Sequence, residues 1–574
     1  MINALITWSL RNRFLVACAT LFIIALGIHA LKNTPVDAIP DLSENQVIVF
    51  ADWSGRSPQE VEDQVTYPLS VNLQGLGGVK AVRANSMFGF SLITVIFEDG
   101  VEKSAARQRI LERLNSLDGV LPAGVAAKLG PDATGLGWVY QYYLEVDQTK
   151  SPNGRGYDLG ELRSLQDWFI RYQLNSVPGV AEVGSVGGFV QQYQIEVDSQ
   201  KMRAVGVSLE MVMKAISRSN LNVGGKTIEE NGMEFVVRGV GLIESTADLG
   251  KIVLMEKEGT AICLRDVARI ELGGDFRRGA LDVAGHEVVG GIVVMRTGEN
   301  ARDVIAKLKS KIAQIAPSLP PGVTIRPFYD RSELIERTIS TLKRALTEEI
   351  LLVALVHIVF LFHFRSILIV TLPLPVSILI SFILMRQLGI TSNIMSLSGI
   401  AIAIGVLVDA AIVLVENVIR QCELAERNKG GTLTAAERWE VALGASKQVG
   451  RPIFFAMAII ILAFVPVFAL TAQEGKMFHP LALTKTFAMI GSTLLAMTIV
   501  PALCTWLVRA PFPAEDRNIV MRFLLKLYDP ALDFALSHHK TVLAGAAIIL
   551  VGALALVPRM GTEFMPPLNE GSLL

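Results

Sequence analysis

The sequence has 574 residues, 51% of them apolar, with a mean hydropathy of +0.44 and a formal net charge of −1. This length exceeds that of an ordinary single domain, and the balanced charge gives no indication of a nucleic-acid partner. The four cysteines, Cys18, Cys263, Cys422 and Cys504, lie far apart without a CxxC pair. That spacing favours unrelated buried thiols over a disulfide framework or a thiolate zinc site.

The first apolar run extends from Phe14 to Leu31 and follows two cations, Arg11 and Arg13. It is long enough to cross a bilayer, and no small-residue cleavage site follows it. We therefore predict a retained transmembrane helix within residues 1–31 rather than a cleaved signal peptide.

Residues 32–340 predict a large α+β domain with an internal repeat. The predicted order of strand, helix and strand occurs twice, as in the βαβ units of ferredoxin-like folds. The elements are Gln46–Ala51, Val61–Asn72 and Ser91–Asp99 in the first copy, and Val139–Asp147, Leu159–Leu174 and Gln192–Asp198 in the second. The domain contains no dinucleotide fingerprint, P-loop, HExxH motif or nucleophile–base signature, which argues against a membrane-anchored hydrolase.

Further apolar runs follow, and they predict transmembrane helices two to six within residues 341–510 and a seventh within 539–558. Residues 511–538 between them predict an amphipathic helix on the membrane surface, and residues 559–574 would begin a second extramembrane domain. Loop cations fall on one side of this arrangement, which places the 32–340 domain outside the inner membrane. The runs are Glu349–Phe364, Ser366–Met385, Ile394–Val415, Pro452–Leu470, Pro480–Leu507 and Thr541–Val557.

Asp409 lies in the middle of the apolar stretch SLSGIAIAIGVLVDAAIVLVEN, Ser396–Asn417. A charge at mid-bilayer costs at least about 2.5–3.5 kcal/mol, so we expect Asp409 to face other helices and either to pair with a cation or to carry a proton. A proton relay is the favoured role, and a structural polar contact is the alternative. Gly405, one turn earlier, would let a neighbouring helix approach closely. Glu416, two turns later, is a second candidate for the proton relay, with ordinary polarity near a helix end as the alternative. These features indicate a proton-coupled pump without naming its substrate.

Long motifs spread along the whole chain carry a family resemblance. They include NTPVDAIPDLSENQV (Asn33–Val47), VGSVGGFVQQYQIEVD (Val183–Asp198), NIMSLSGIAIAIGVLVDAAIVLVEN (Asn393–Asn417) and QEGKMFHPLALTKTFAM (Gln473–Met489). The chain resembles the heavy-metal efflux branch of the resistance–nodulation–division (RND) superfamily, and within that branch the copper/silver inner-membrane pumps.

The resemblance implies the first half of an RND transporter fold: an α-helical membrane bundle plus α+β periplasmic subdomains. Such pumps are homotrimers of the bacterial inner membrane, and they join a periplasmic adaptor and an outer-membrane channel. They export metal cations in exchange for protons, with no permanently bound cofactor and no nucleic-acid partner. Asp409 matches the proton-relay acid of the family. Because the family has two tandem halves, we expect this chain to be an incomplete half that does not pump alone.

The resemblance also implies soft metal ligands, at Met395, Met489 and Cys504. Leu407, Leu414 and Phe276 replace methionines at other positions of the same relay. The segment GLGW, Gly135–Trp138, lacks an acidic residue present in zinc/cobalt pumps, which favours Cu(I) or Ag(I). Export of a divalent metal (zinc, cobalt, cadmium or nickel), or of a drug or lipid, remains an alternative, as does a scaffold that transports nothing. Ordinary core packing is the alternative role for the two methionines.

Overall fold

The computed structural model describes residues 2–117, 119–152, 154–277, 279–361, 364–509 and 519–561. The chain divides into two compact units. Unit 1 comprises Met1–Leu136, Thr297–Asp303 and Arg331–Leu574, and unit 2 comprises Gly137–Arg296 and Val304–Asp330. The described residues form apolar helices and antiparallel sheets, the two components that the resemblance to RND transporters implies.

The strands are β1 (Gln46–Asp52), β2 (Val79–Met87), β3 (Phe90–Phe97), β4 (Ala127–Leu129), β5 (Trp138–Val146), β6 (Val180–Val186), β7 (Gln191–Val197), β8 (Val223–Glu230), β9 (Met233–Gly239), β10 (Val253–Lys257), β11 (Thr260–Cys263), β12 (Ala268–Gly274), β13 (Leu281–Val283), β14 (His286–Val288), β15 (Gly290–Met295) and β16 (Val323–Asp330).

The α-helices are α1 (Ile2–Arg11), α2 (Arg13–Asn33), α3 (Pro58–Val61), α4 (Tyr67–Gln74), α5 (Lys103–Asn115), α6 (Leu159–Leu165), α7 (Arg171–Asn175), α8 (Ser199–Val205), α9 (Leu209–Ser219), α10 (Thr246–Gly250), α11 (Leu264–Val267), α12 (Ala301–Ile315), α13 (Arg331–Leu361), α14 (Phe364–Thr371), α15 (Pro373–Gln387), α16 (Ile394–Lys429), α17 (Ala435–Ala463), α18 (Ala472–Met497), α19 (Ile499–Leu507), α20 (Ile519–Ser537) and α21 (His539–Leu556). Single π-helical turns, Glu62–Thr66 and Gln166–Ile170, join α3 to α4 and α6 to α7.

Unit 1 contains an antiparallel sheet of strand order β2-β3-β1-β4. With the α3–α4 segment between β1 and β2, and α5 between β3 and β4, this is the ferredoxin-like arrangement predicted from the sequence. Alternate residues of β1 and β3 are buried, including Val47, Val49, Ile93 and Val95. They pack in one core with Leu69 of α4, as expected for a sheet with one covered face.

Unit 2 repeats this strand order, as β16-β5-β15-β6. The prediction that Gln192–Asp198 forms the matching strand of the second copy is wrong, because β7 pairs with β12 in a separate ribbon. The central place belongs to β15, from Gly290 to Met295. That strand is continuously apolar and largely buried, whereas the residues of β7 are polar and mostly exposed. The apolar β15 sequence suits a largely buried strand between two neighbours, whereas the polar β7 sequence suits an exposed ribbon.

Six helical segments among the described residues are long and apolar enough to cross a membrane. They are Arg13–Asn33, Ser366–Gln387, Ile394–Lys429, Ala435–Ala469, Ala472–Met497 and His539–Arg559. The predicted run Glu349–Phe364 lies in α13 and α14 and includes residues 362 and 363, which are outside the described part. The predicted run Pro480–Leu507 is divided at Thr498, between α18 and α19.

Near the two ends of unit 1, the observed helices differ in part from the predicted segments. A short helix, α1, precedes the first span and packs against α17, where a side chain at Gly450 would overlap Ile6. The predicted surface helix within 511–538 corresponds to α20, although residues 511–518 lie outside the described residues. The predicted second extramembrane domain, 559–574, falls mostly in the undescribed residues 562–574. The domain assignments therefore remain predictions.

Candidate functional site: the two faces of helix α16

Helix α16 carries the intramembrane acid and has clear ends. At its start the Asn393 side chain accepts hydrogen bonds from the backbone N–H groups of Met395 and Ser396, both at 3.0 Å. The helix ends at Lys429, and the next residue, Gly430, has a φ of +70°, the left-handed conformation that suits glycine. The 36 residues between extend about 54 Å at 1.5 Å per residue, which exceeds the hydrocarbon thickness of a bilayer.

One face of α16 packs closely against α18. A Cβ atom at Gly399 would overlap the Leu481 carbonyl oxygen and the Thr484 hydroxyl. The Thr484 hydroxyl donates to the Ser396 carbonyl at 2.8 Å, and the Ser492 hydroxyl donates to the Leu407 carbonyl at 3.0 Å. Small residues and interhelical hydroxyl bonds are the usual means of joining helices in lipid.

The opposite face of α16 is open in unit 1. Ile402, Gly405, Asp409, Val413 and Glu416 are all exposed, and their spacing of three or four residues puts them on one helix face. The expectation that Asp409 faces other helices is therefore not met among the described residues. The predicted close approach at Gly405 is also wrong for this part of the chain, because no atom lies within 4 Å of a Cβ built there. The close approach occurs at Gly399.

The positions expected to bind soft metal differ in burial and in the helix that carries them. Leu407 and Leu414, which replace relay methionines, are 2% and 1% exposed. Met489 of α18 and Cys504 of α19 are each 1% exposed and belong to the same apolar cluster. Met395 is half-buried, in the first turn of α16. Because Met395 precedes Asp409 by two heptads, it lies on the same side of α16 as Asp409.

Sequence reasoning missed Lys485, a second charged residue within an apolar helix. Lys485 is only 5% exposed, and its Nζ atom lies 3.4 Å from the centroid of the Phe464 ring. Such cation–π contacts favour a desolvated ammonium group. The signal was present in the sequence, since Lys485 stands between apolar runs in LALTKTFAM just as Asp409 does in α16.

A buried ion pair lies where the first span leaves the bundle. Arg331 is 5% exposed; its guanidinium is 3.6 Å from the Asp37 carboxylate and donates to the Leu136 carbonyl at 2.5 Å. Burial raises the pKa of Asp37 above its ordinary value, while the nearby Arg331 charge opposes this shift. The Asp37 backbone N–H also donates to the Ser392 carbonyl, just before α16. These contacts connect the end of α2 and the start of α13 to the segment that precedes α16.

A further contact joins the first turns of α18 to the β-sheet of unit 1. The Lys476 ammonium is 2.8 Å from the Asp99 carboxylate and donates to the Ser43 carbonyl at 2.9 Å. Among the residues that the structure describes, no group of three or more His, Cys, Asp or Glu side chains is placed to hold a metal ion.

Comparison with known proteins identifies the family of the chain. The family model described as the AcrB/AcrD/AcrF family matches residues 5–574. The chain is 46% identical to the cation efflux system protein CusA of Escherichia coli strain K12 and 45% identical to the putative cation efflux system protein SilA of Salmonella typhimurium. Each alignment covers 100% of this chain and 54% of the relative, so the chain spans about half the length of these proteins.

Two further comparisons extend the similarity. The chain is 37% identical to the cobalt-zinc-cadmium resistance protein CzcA of Cupriavidus metallidurans, over 100% of this chain and 54% of that protein. A crystal structure of a heavy metal efflux pump superposes with a TM-score of 0.82 and 33% identity, covering 99% of this chain and 53% of the other. The chain belongs to the AcrB/AcrD/AcrF family, in its heavy-metal efflux branch.

Proposed function

We propose that this chain contributes a helical bundle and extramembrane domains to a proton-driven exporter of Cu(I) or Ag(I). The observation that carries the proposal is Asp409, a carboxylate in the middle of a 36-residue membrane helix, on a face that unit 1 leaves open. A group with no partner among the described residues of this unit can exchange protons with water or with a partner elsewhere in the complete transporter. Intramembrane acids commonly serve proton transfer.

Soft ligands in and beside α16 support the choice of metal. Thioether sulfur favours monovalent copper, and thiolate sulfur suits both copper and zinc; Met395 and Met489 supply the first and Cys504 the second. CusA and SilA are described as cation efflux system proteins. Divalent metal is the second candidate, favoured by the 37% identity to a cobalt-zinc-cadmium resistance protein.

The setting follows from the loop charges and from the family. We propose a homotrimer in the bacterial inner membrane, with the 32–340 domain in the periplasm. A periplasmic adaptor and an outer-membrane channel would complete the export route. Asp409 is the proposed proton-relay residue, and Glu416, two turns along the same face, is a secondary one.

Growth of cells that lack their own metal exporters tests the cargo. Expression of the complete transporter should raise tolerance to copper and silver more than tolerance to zinc or cobalt. Replacing Met395 and Met489 together by isoleucine should remove most of the copper tolerance while keeping side-chain volume nearly constant. Met385→Ile, a change at another buried methionine of the same cluster, is the matched control and should behave like wild type. Unchanged copper tolerance in the double variant would refute the role of these methionines, and zinc tolerance alone would favour the second candidate.

A further inference from the structure

The chain between α2 and β1 is irregular but largely covered. Residues 35–45, which we call the connecting segment, form neither helix nor strand, yet all of them except Asp41 are buried or half-buried. Irregular segments usually run over a protein surface, where water satisfies their backbone groups. Here other elements of unit 1 supply those partners. The segment belongs to the motif Asn33–Val47, to which the proposed function assigns no role.

The start of the connecting segment is bonded to the chain at the beginning of α16. The Ser392 backbone N–H donates to the Pro35 carbonyl at 2.8 Å, and the Ser392 carbonyl accepts from the Asp37 backbone N–H at 3.0 Å. The Ile394 backbone N–H, in the first turn of α16, donates to the Ala38 carbonyl at 3.0 Å. A shift of this turn must therefore move the segment or break these bonds.

The same part of the segment is tied to the start of α13 by the ion pair between Asp37 and Arg331. The Arg331 guanidinium lies 3.6 Å from the Asp37 carboxylate, which also accepts from the Ala38 backbone N–H at 2.7 Å. Arg331 is the first residue of α13 and is 5% exposed. Because removing one partner of a buried pair is strongly destabilising, α13 and the connecting segment should move together.

The end of the connecting segment contacts α18 and leads directly into the sheet of unit 1. The Lys476 ammonium, in the first turns of α18, donates to the Ser43 carbonyl at 2.9 Å and lies 2.8 Å from the Asp99 carboxylate. The Asn45 side-chain amide donates to the Val101 carbonyl at 2.7 Å, and β1 begins at the next residue. The segment therefore has contacts with α16 at one end and with α18 and β1 at the other.

We propose that the connecting segment passes the proton state of Asp409 from α16 to the sheet of unit 1, an inference that rests on the proposed function. Asp409 lies 15 residues beyond Ile394, about 22 Å along the helix at 1.5 Å per residue. Gain or loss of a proton changes how strongly this side chain favours apolar surroundings, and helices shift by about 1–2 Å in such transitions.

The bonds at Ser392 and Ile394 carry this shift into the segment, and the segment carries it to β1. Arg331 and Lys476 are positioning residues for transport, because they hold the segment between the helices and the sheet. An irregular segment without such contacts would absorb a shift of this size by bending.

Hydrogen exchange of the complete transporter in detergent tests the link at α16. Asp409→Asn keeps the side chain's shape and imitates the protonated acid. It should change the exchange rates of the Asp37, Ser392 and Ile394 backbone N–H groups by at least about fivefold, the lower end of typical coupling between sites. Glu423→Gln, the same chemical change at another acid of α16, should leave these rates as in wild type. Unchanged rates in Asp409→Asn would overturn the proposal.

Transport in vesicles tests the link at α18. Because partly exposed ion pairs contribute little to stability, Lys476→Met should fold, bind Cu(I) and take up protons like wild type. Its metal flux per proton should fall at least about fivefold, and Lys476→Arg, which keeps the cation, should restore the ratio. Lys80→Met, a change beside the same surface cavity, is the matched control. A wild-type ratio in Lys476→Met would contradict the assigned role.

The two measurements separate this inference from the proposed function. Exchange at the connecting segment does not depend on the cargo, so a response to Asp409→Asn without Cu(I) or Ag(I) export would refute the proposed cargo alone. Coupled Cu(I) export that is lost in Asp409→Asn but unaffected in Lys476→Met, with no change in exchange at the segment, would refute the connecting segment alone.

Discussion

The two faces of α16 differ in almost every physical property although one sequence of apolar residues forms both. The face toward α18 has Gly399 at a close crossing and two backbone carbonyls that accept hydroxyl hydrogen bonds. The other face exposes Asp409 and Glu416 and has no close contact at Gly405. The covered face therefore supplies the packing that joins α16 to α18, while the open face carries the ionisable groups.

The largest effect on stability should come from replacing Gly399 by valine, with the same replacement at Gly405 for comparison. Gly399→Val places a branched side chain against the Leu481 carbonyl and the Thr484 hydroxyl, and overpacking of this kind costs about 1–3 kcal/mol. Gly405→Val, the matched change on the open face, should leave the unfolding free energy of this chain nearly unchanged. Thermal unfolding of both variants in detergent measures the difference. Equal destabilisation at the two positions would mean that Gly405 is also covered.

A smaller effect is expected from the hydroxyl groups that join α18 to α16. Thr484→Val and Ser492→Ala each remove one interhelical hydrogen bond, and such bonds contribute on average about 0.6 kcal/mol and at most about 1.7 kcal/mol in a membrane protein. The same unfolding experiment should show a modest loss for each. Thr498→Val is the control, because its hydroxyl bonds to the Leu494 carbonyl of its own chain segment rather than to α16. If either variant lost more unfolding free energy than Gly399→Val, the hydroxyl bonds would matter more than the close packing at Gly399, contrary to this prediction.

The smallest effect is expected at Glu416. Its side chain is exposed, and surface changes of this kind usually alter stability by less than about 0.5 kcal/mol. Glu416→Gln should therefore unfold like wild type, while the flux of the complete transporter can still fall if Glu416 assists Asp409. A clear loss of stability would show that Glu416 has a structural partner in this chain.

The parts of this fold that the sequence revealed are those with a strong local signal. Asp409 stands out because a charge in an apolar helix is costly, and β1 and β3 follow from their alternating residues. The faces of α16 do not follow from its sequence, since apolar residues surround Asp409 on every side. The assignment of β7 to the second repeat fails for another reason. The ribbon that contains β7 interrupts the repeat between β6 and β15, and only long-range pairing identifies the strand that completes the sheet.

Lys485 shows a similar limit. A lysine in an apolar helix is visible in the sequence, but its contact with Phe464 depends on how α18 packs against the end of α17. Contacts between helices, rather than properties of a single helix, decide what surrounds such a side chain.

Coupled flux in vesicles of the complete transporter tests the central claim most directly. Proton movement and Cu(I) movement are measured in parallel for wild type and for Asp409→Asn, which keeps the side chain's shape and removes its ionisable group. We expect both fluxes to be lost in Asp409→Asn, while Cu(I) binding to the protein persists at wild-type affinity. Metal flux that continues with its proton coupling intact would contradict the account, because the open face of α16 would then not carry the protons.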